Sequence, residues 1–251
     1  MAGFRFHKTK FIRALLIFIC LLFLGAIFLL YYFLKPESDK DIFQFFSKNN
    51  KTVWIDQIPF GGHEVRLLKM QEILDTVKPT LLFIHGSPGS AMNFKNYMID
   101  ADLLQDFNML AYDRIGYGSG RQVPVLNDFQ KESDLVKLIA GDIPRKKLIL
   151  VGYSYGGTIA AAYPENIGEK VLLAPAVKAS FEPMFWALNL YRWNFTRPLV
   201  PHMLANASME KLGHLQELPL FEEKWALSGA KVLAIHGNKD GIVPYENSVF
   251  L

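Results

Sequence analysis

The stretch of this chain best suited to chemistry is Gly152-Tyr153-Ser154-Tyr155-Gly156, followed by Gly157. It fits the pattern G-x-S-x-G, it ends an apolar run, and a helix-forming stretch follows it. A serine hydroxyl is a weak nucleophile until a neighbouring base takes its proton. Set on a tight strand-to-helix turn, its Oγ projects above the sheet edge and the flanking glycines relieve crowding. The helix beyond then aims free amides at developing negative charge. The chemistry this allows is attack on a carbonyl carbon. An idle glycine-rich turn shares the bare pattern, so the strand–turn–helix context carries the weight.

Three further motifs end apolar runs: His85-Gly86-Ser87-Pro88-Gly89-Ser90, DRIGYGSG at 113–120 and GNKDGIVP at 237–244. In this order, and together with GYSYGG, they resemble the α/β-hydrolase superfamily over residues 80 to 251, nearly the whole of the chain beyond its first apolar segment. The resemblance implies a serine hydrolase with Ser154 as nucleophile, acting on an ester or related carbonyl compound by acyl-enzyme chemistry, without a metal or organic cofactor. It implies an oxyanion hole built from the backbone N–H groups of Ser87 and Tyr155; losing one such donor costs about 3 kcal/mol in comparable sites. By the same resemblance His85 is structural, Asp113 shapes its loop, and Asp240 orients the base histidine. An ordinary turn aspartate is the alternative for Asp240, since Asp-Gly forms turns readily. Serine at the turn argues against epoxide or haloalkane hydrolysis, which use a carboxylate there.

The same resemblance exposes a departure. The superfamily order is serine, acid, histidine, yet the residues after Asp240 read GIVPYENSVFL. The expected helix, last strand and histidine-bearing loop are missing, which predicts an exposed apolar sheet edge and, in the chain as read, little turnover. Loss of the histidine from such a relay costs roughly 10⁶ in rate. The helix after Ser154 also reaches Pro164 about one turn early. A hydrolase-fold binding module and an incomplete product of an active enzyme's gene are the competing readings.

The elements that must position these motifs follow the expected pattern. TLLFIHG (80–86), NMLAYDR (108–114), KLILVGYS (147–154), KVLLAPAV (170–177) and KVLAIHGNKD (231–240) read as buried strands, with helices around 127–140 and 155–162 between some of them. Near-continuous apolar strands imply a mostly parallel sheet with helices on both faces. Weaker strands at 53–58 and 64–70 flank FGGH as a hairpin turn. From 178 to 230 the pattern breaks into aromatic and proline-rich pieces, read as a short lid over the sheet. Phe185, Trp186 and Tyr191 are its candidate substrate-facing residues and imply an apolar acyl or alcohol group; a lid core and a membrane-touching face are equally open readings of this cluster.

Residues 14–34 carry no charge and are long enough to cross about 30 Å of hydrocarbon. Arg5, Lys8, Lys10 and Arg13 precede them, while Glu37, Asp39 and Asp41 follow. This asymmetry places residues 1–13 in the cytoplasm and the hydrolase domain, 53–251, on the outer side of the membrane. A cleaved signal sequence is the alternative, but its apolar core is usually shorter. Residues 35–52 read as a linker. A net charge of +3, concentrated near the N-terminus, offers no face for nucleic acid, and a single cysteine, Cys20, permits neither an internal disulfide nor a cysteine metal site.

Overall fold

A computed structural model of the protein describes residues 2–118, 123–225 and 227–251, with side chains from residue 10 onward. Ser119 and Gly120 of the 113–120 motif, and the side chains of Arg5 and Lys8, lie outside the described residues. Seven strands form one sheet: β1 (Trp54–Phe60), β2 (His63–Lys69), β3 (Thr80–Ile84), β4 (Asn108–Tyr112), β5 (Leu148–Tyr153), β6 (Glu169–Leu173) and β7 (Lys231–Ile235). Their order is β1-β2-β4-β3-β5-β6-β7. β1–β2 and β2–β4 run antiparallel, and every other pair is parallel. The helices are α1 (Ala2–Phe33), α2 (Asp39–Lys48), α3 (Lys95–Met98), α4 (Ala101–Asp106), α5 (Phe129–Ala140), α6 (Tyr155–Ala162), α7 (Leu188–Arg192), α8 (His202–Glu217) and α9 (Glu246–Phe250).

Every residue of β3 and β4 is buried, as strands covered on both faces require. Alternation then splits their side chains between two cores. Leu82, Ile84, Leu110 and Tyr112 pack toward α5 and α6. Leu81, Phe83, Met109 and Ala111 pack on the other face with Ile42 and Phe46 of α2. The β1–β2 hairpin closes on Gly61 and Gly62, whose φ values of +57° and +80° suit a tight two-residue turn.

Two expectations are corrected. The 35–52 stretch, read as a linker, contains α2: Ser38 and Asp41 form a reciprocal capping box, and Ile42 and Phe46, one turn apart, are fully buried. Strand β7, read among the buried strands, stands at the sheet edge with Val232, Leu233 and Ile235 exposed; it pairs on one side only and forms the exposed apolar edge that was also expected.

The segment between β6 and β7 covers the C-terminal ends of the strands and is fixed to the body through a buried ionic cluster. Arg114, after β4, pairs with Glu132 of α5 at 3.0 Å and with Glu210 of α8; all three side chains are fully buried. Tyr117 Oη donates to Glu210 at 2.7 Å. Burial pushes the Glu132 carboxyl upward against the opposing pull of Arg114. Asn206, in an N-x-S sequon, is also buried on α8, where its amide donates to the Gly116 carbonyl at 2.7 Å.

A buried lysine completes the end of helix α6. Lys170 of β6 is buried and its Nζ donates to the carbonyls of Ala161 at 3.0 Å and Tyr163 at 2.6 Å, serving the last turn's orphan acceptors.

Two outcomes are expected. Arg114→Met strands two buried carboxylates and should lower unfolding free energy by about 3–5 kcal/mol in denaturant titrations. Burial depresses the Lys170 ammonium from 10.5 to about 8. The unfolded chain therefore holds this proton more tightly than the folded one, and the penalty is fully present below about pH 8. It is relieved as pH rises toward 10.5, so the melting temperature of the wild type should gain on that of Lys170→Met between those values.

Candidate active site

Strand β5 delivers Ser154 to the sheet edge in a strained conformation, φ +52° and ψ −119°. A non-glycine residue holds such angles only where its surroundings over-determine them. Here the Ser154 N–H donates to the Leu173 carbonyl at 2.8 Å, and the Ser154 carbonyl accepts from the Gly157 N–H at 2.8 Å. Glycines permit the fit: a Cβ on Gly152 would stand 2.2 Å from the Gly156 carbonyl oxygen, and one on Gly156 would stand 2.1 Å from that of Ile84. Although Ser154 sits at the N-cap of α6, its hydroxyl does not cap the helix. The N–H of Tyr155, first residue of α6, has no acceptor within the helix.

The 85–90 loop lies against this turn: a Cβ on Gly86 would be 3.1 Å from Ser154 Cβ. His85 is fully buried. Its Nδ1–H donates to the Gly86 carbonyl at 2.7 Å and its Nε2 accepts from the Arg114 N–H at 2.9 Å. Burial, then the nearby Arg114 charge, hold its pKa well below the usual imidazole value, so it stays neutral in this role. Asp113 is tied to Arg66 and accepts the Ala91 N–H at 2.8 Å. Ser87 Oγ and Tyr117 Oη are 2.9 Å apart, which joins the loop to the buried ionic cluster.

Ser87, Ser154, Tyr155, Phe185 and Tyr191 all line one cavity of about 440 Å³. Trp186 is 69% exposed instead. Asp240 follows β7 in a turn whose Ile242 and Val243 reach the same cavity. Its Oδ1 accepts the N–H groups of Ile242 and Val243 at 2.8 and 3.0 Å, and its Oδ2 lies 3.7 Å from His236 Nε2. That imidazole is occupied: it donates to the Val243 carbonyl at 2.9 Å and accepts from Ser248 Oγ at 2.7 Å.

The sequence reading did not find Glu182 or its pairing with His214. His214 of α8 bonds Glu182 through Nδ1 at 3.1 Å, and Lys211 joins the same carboxylate oxygen; all three line the cavity. Burial pushes the Glu182 carboxyl up, but His214 and Lys211 outweigh it and hold the group below its ordinary value. An ionised Glu182 only accepts, so Nδ1 carries the proton; Nε2 is buried without a partner. The His214 ring stacks on Tyr155 with centroids 4.7 Å apart, and the Arg114 guanidinium stands over the same ring at 4.3 Å. Thirty-two positions separate Glu182 from His214 in the chain, so local spacing carries no signal of the pair.

Proline iminopeptidase of Lactobacillus acidophilus is 26% identical over 144 residues, which cover 54% of this chain and 47% of that protein. Proline iminopeptidase of Lactobacillus helveticus is 28% identical over 146 residues, with the same coverage of 54% and 47%. The chain thus spans about half the length of the curated relatives it matches. Among solved structures, a bacterial membrane phospholipase A described as a virulence factor aligns over 95% of this chain and 86% of its own, with a TM-score of 0.56 and 18% identity. A thioesterase domain from the curacin biosynthetic pathway aligns over 79% and 88%, with a TM-score of 0.56 and 15% identity. Residues 81–246 match the profile of the Alpha/beta hydrolase family, and the chain belongs to that family.

Proposed function

We propose that the protein is a membrane-anchored serine hydrolase whose Ser154 attacks an ester or related carbonyl carbon bearing an apolar acyl group. One observation carries the reading: the strained Ser154, the Ser87 loop and the first amide of α6 meet at a single cavity walled mostly by apolar side chains such as Leu188, Leu190 and Leu204. The backbone amides of Ser87 and Tyr155 would hold the oxyanion, and Asp240 would orient an imidazole base. The 178–230 segment acts as the lid, with Phe185 and Tyr191 touching the acyl group.

The apolar stretch Lys10–Phe33, with mean hydropathy 2.9, is long enough to span a bilayer, and no residue of its most apolar window is buried. We read it as the anchor, with the N-terminus cytoplasmic and the hydrolase domain outside.

A second reading is a membrane-tethered binding module of the same fold. It is favoured by the imidazoles of His85, His202, His214 and His236, each of which is bonded to a partner other than Ser154.

A fluorophosphonate probe separates the two in native membranes. Labelling at Ser154 that disappears in Ser154→Ala supports the hydrolase; an unlabelled Ser154 sinks it in favour of the binding module. The anchor has its own check: the protein should stay in the pellet after alkaline carbonate washing, and removal of residues 1–34 should release it to the supernatant.

A further inference from the structure

Phe23, Ile27 and Leu30 stand four and three positions apart, so they share one face of α1. All three line the cavity that Ser154 and Tyr155 also line. The wall they form covers roughly 10 Å of helix, and Phe23 lies about 15 Å below the end of α1 at Phe33. Half of a hydrocarbon core of about 30 Å has this depth. When α1 spans the bilayer, this face therefore stands among the acyl chains of the outer leaflet.

The rim beside it is built to match. No charged residue stands between Glu182 and Arg192, and Trp186, Trp193 and Phe195 are 69%, 41% and 76% exposed. A soluble surface rarely presents aromatic rings so closely grouped, whereas the acyl–headgroup boundary favours tryptophan. Phe185, Leu188 and Leu190, from the same stretch as this rim, line the cavity together with the α1 face.

Building on the hydrolase reading above, we propose that the cavity loads sideways from the membrane: an acyl chain of a bilayer lipid passes between the Phe23–Ile27–Leu30 face of α1 and the covering segment to reach Ser154. The substrate class is then a lipid resident in the leaflet, and the α1 face is a specificity-determining wall as well as a tether. Water-soluble esters of short acids have no use for this entrance.

The test is made on the full chain in phosphatidylcholine vesicles containing a few per cent of phosphatidylcholine with a diazirine midway along one acyl chain. After illumination, adducts are mapped by mass spectrometry. Adducts are expected on Leu204 and Ala207, which line the cavity from α8, as well as on lipid-facing residues of α1. Adducts confined to α1 and the exposed rim overturn the proposal. Ile27→Trp, which narrows the entrance, should reduce the α8 adducts severalfold and leave those at outward positions of α1 unchanged; undiminished α8 adducts also overturn it. The wild-type map decides the matter even if the variant fails to fold. Photoinsertion needs no turnover, so α8 adducts alongside an unlabelled Ser154 would retire the hydrolase reading and keep the lipid entrance. A labelled Ser154 with no α8 adducts would do the reverse.

Discussion

At the Ser154 turn backbone packs directly on backbone, with no room for a side chain between them. Gly156 meets the Ile84 carbonyl so tightly that a methyl group could not be placed between them, and Gly152 meets Gly156 in the same way. This contact sets the distance from β5 and α6 to β3, and so fixes where the 85–90 loop can run. It also over-determines the unfavourable angles of Ser154. Two parallel strands, a helix and a loop must all be in place before the hydroxyl can stand where it does. The cost of that posture is spread over a large part of the domain.

Around the turn the polar groups follow a consistent logic. His85 is neutral and spends both ring nitrogens on holding the 85–90 loop to the 113–117 loop. Arg114 pairs with carboxylates from two helices and stands over the Tyr155 ring. Burying such charges is expensive, and pairing them recovers the cost only when the geometry is well met. The gain here is positional: the body, the helix after Ser154 and the covering segment are tied at one point beside the cavity.

Much of this was readable from the chain. β3, β4 and β5 announce themselves because burial on both faces leaves no polar residue inside the run, and GYSYGG is legible because steric need restricts it to glycine at set positions. What was not legible depends on distant partners. Helix α2 carries enough charge to pass for a solvated linker, and only its contact with the sheet reveals why Ile42 and Phe46 are there. β7 has the composition of a central strand, and only the expected exposed apolar edge, not its own residues, pointed to its place there. Glu182 with His214, and Lys170 with the end of α6, join residues whose separation in the chain says nothing of their meeting.

The anchoring of Glu210 bears on how the cavity could open. α8 is held at a fully buried ionic cluster and, at Asn206, by a second bond to the body, so it behaves as a fixed jamb. Among the described residues, the side-chain hydrogen bonds of the stretch from Met184 to Leu199, such as Thr196 to Leu190 and Arg197 to Tyr191, stay within the stretch itself, and Phe185 meets α8 only through the Lys211 ammonium over its ring. Of the two, the short aromatic piece is therefore the one free to swing, with α8 standing still beside it.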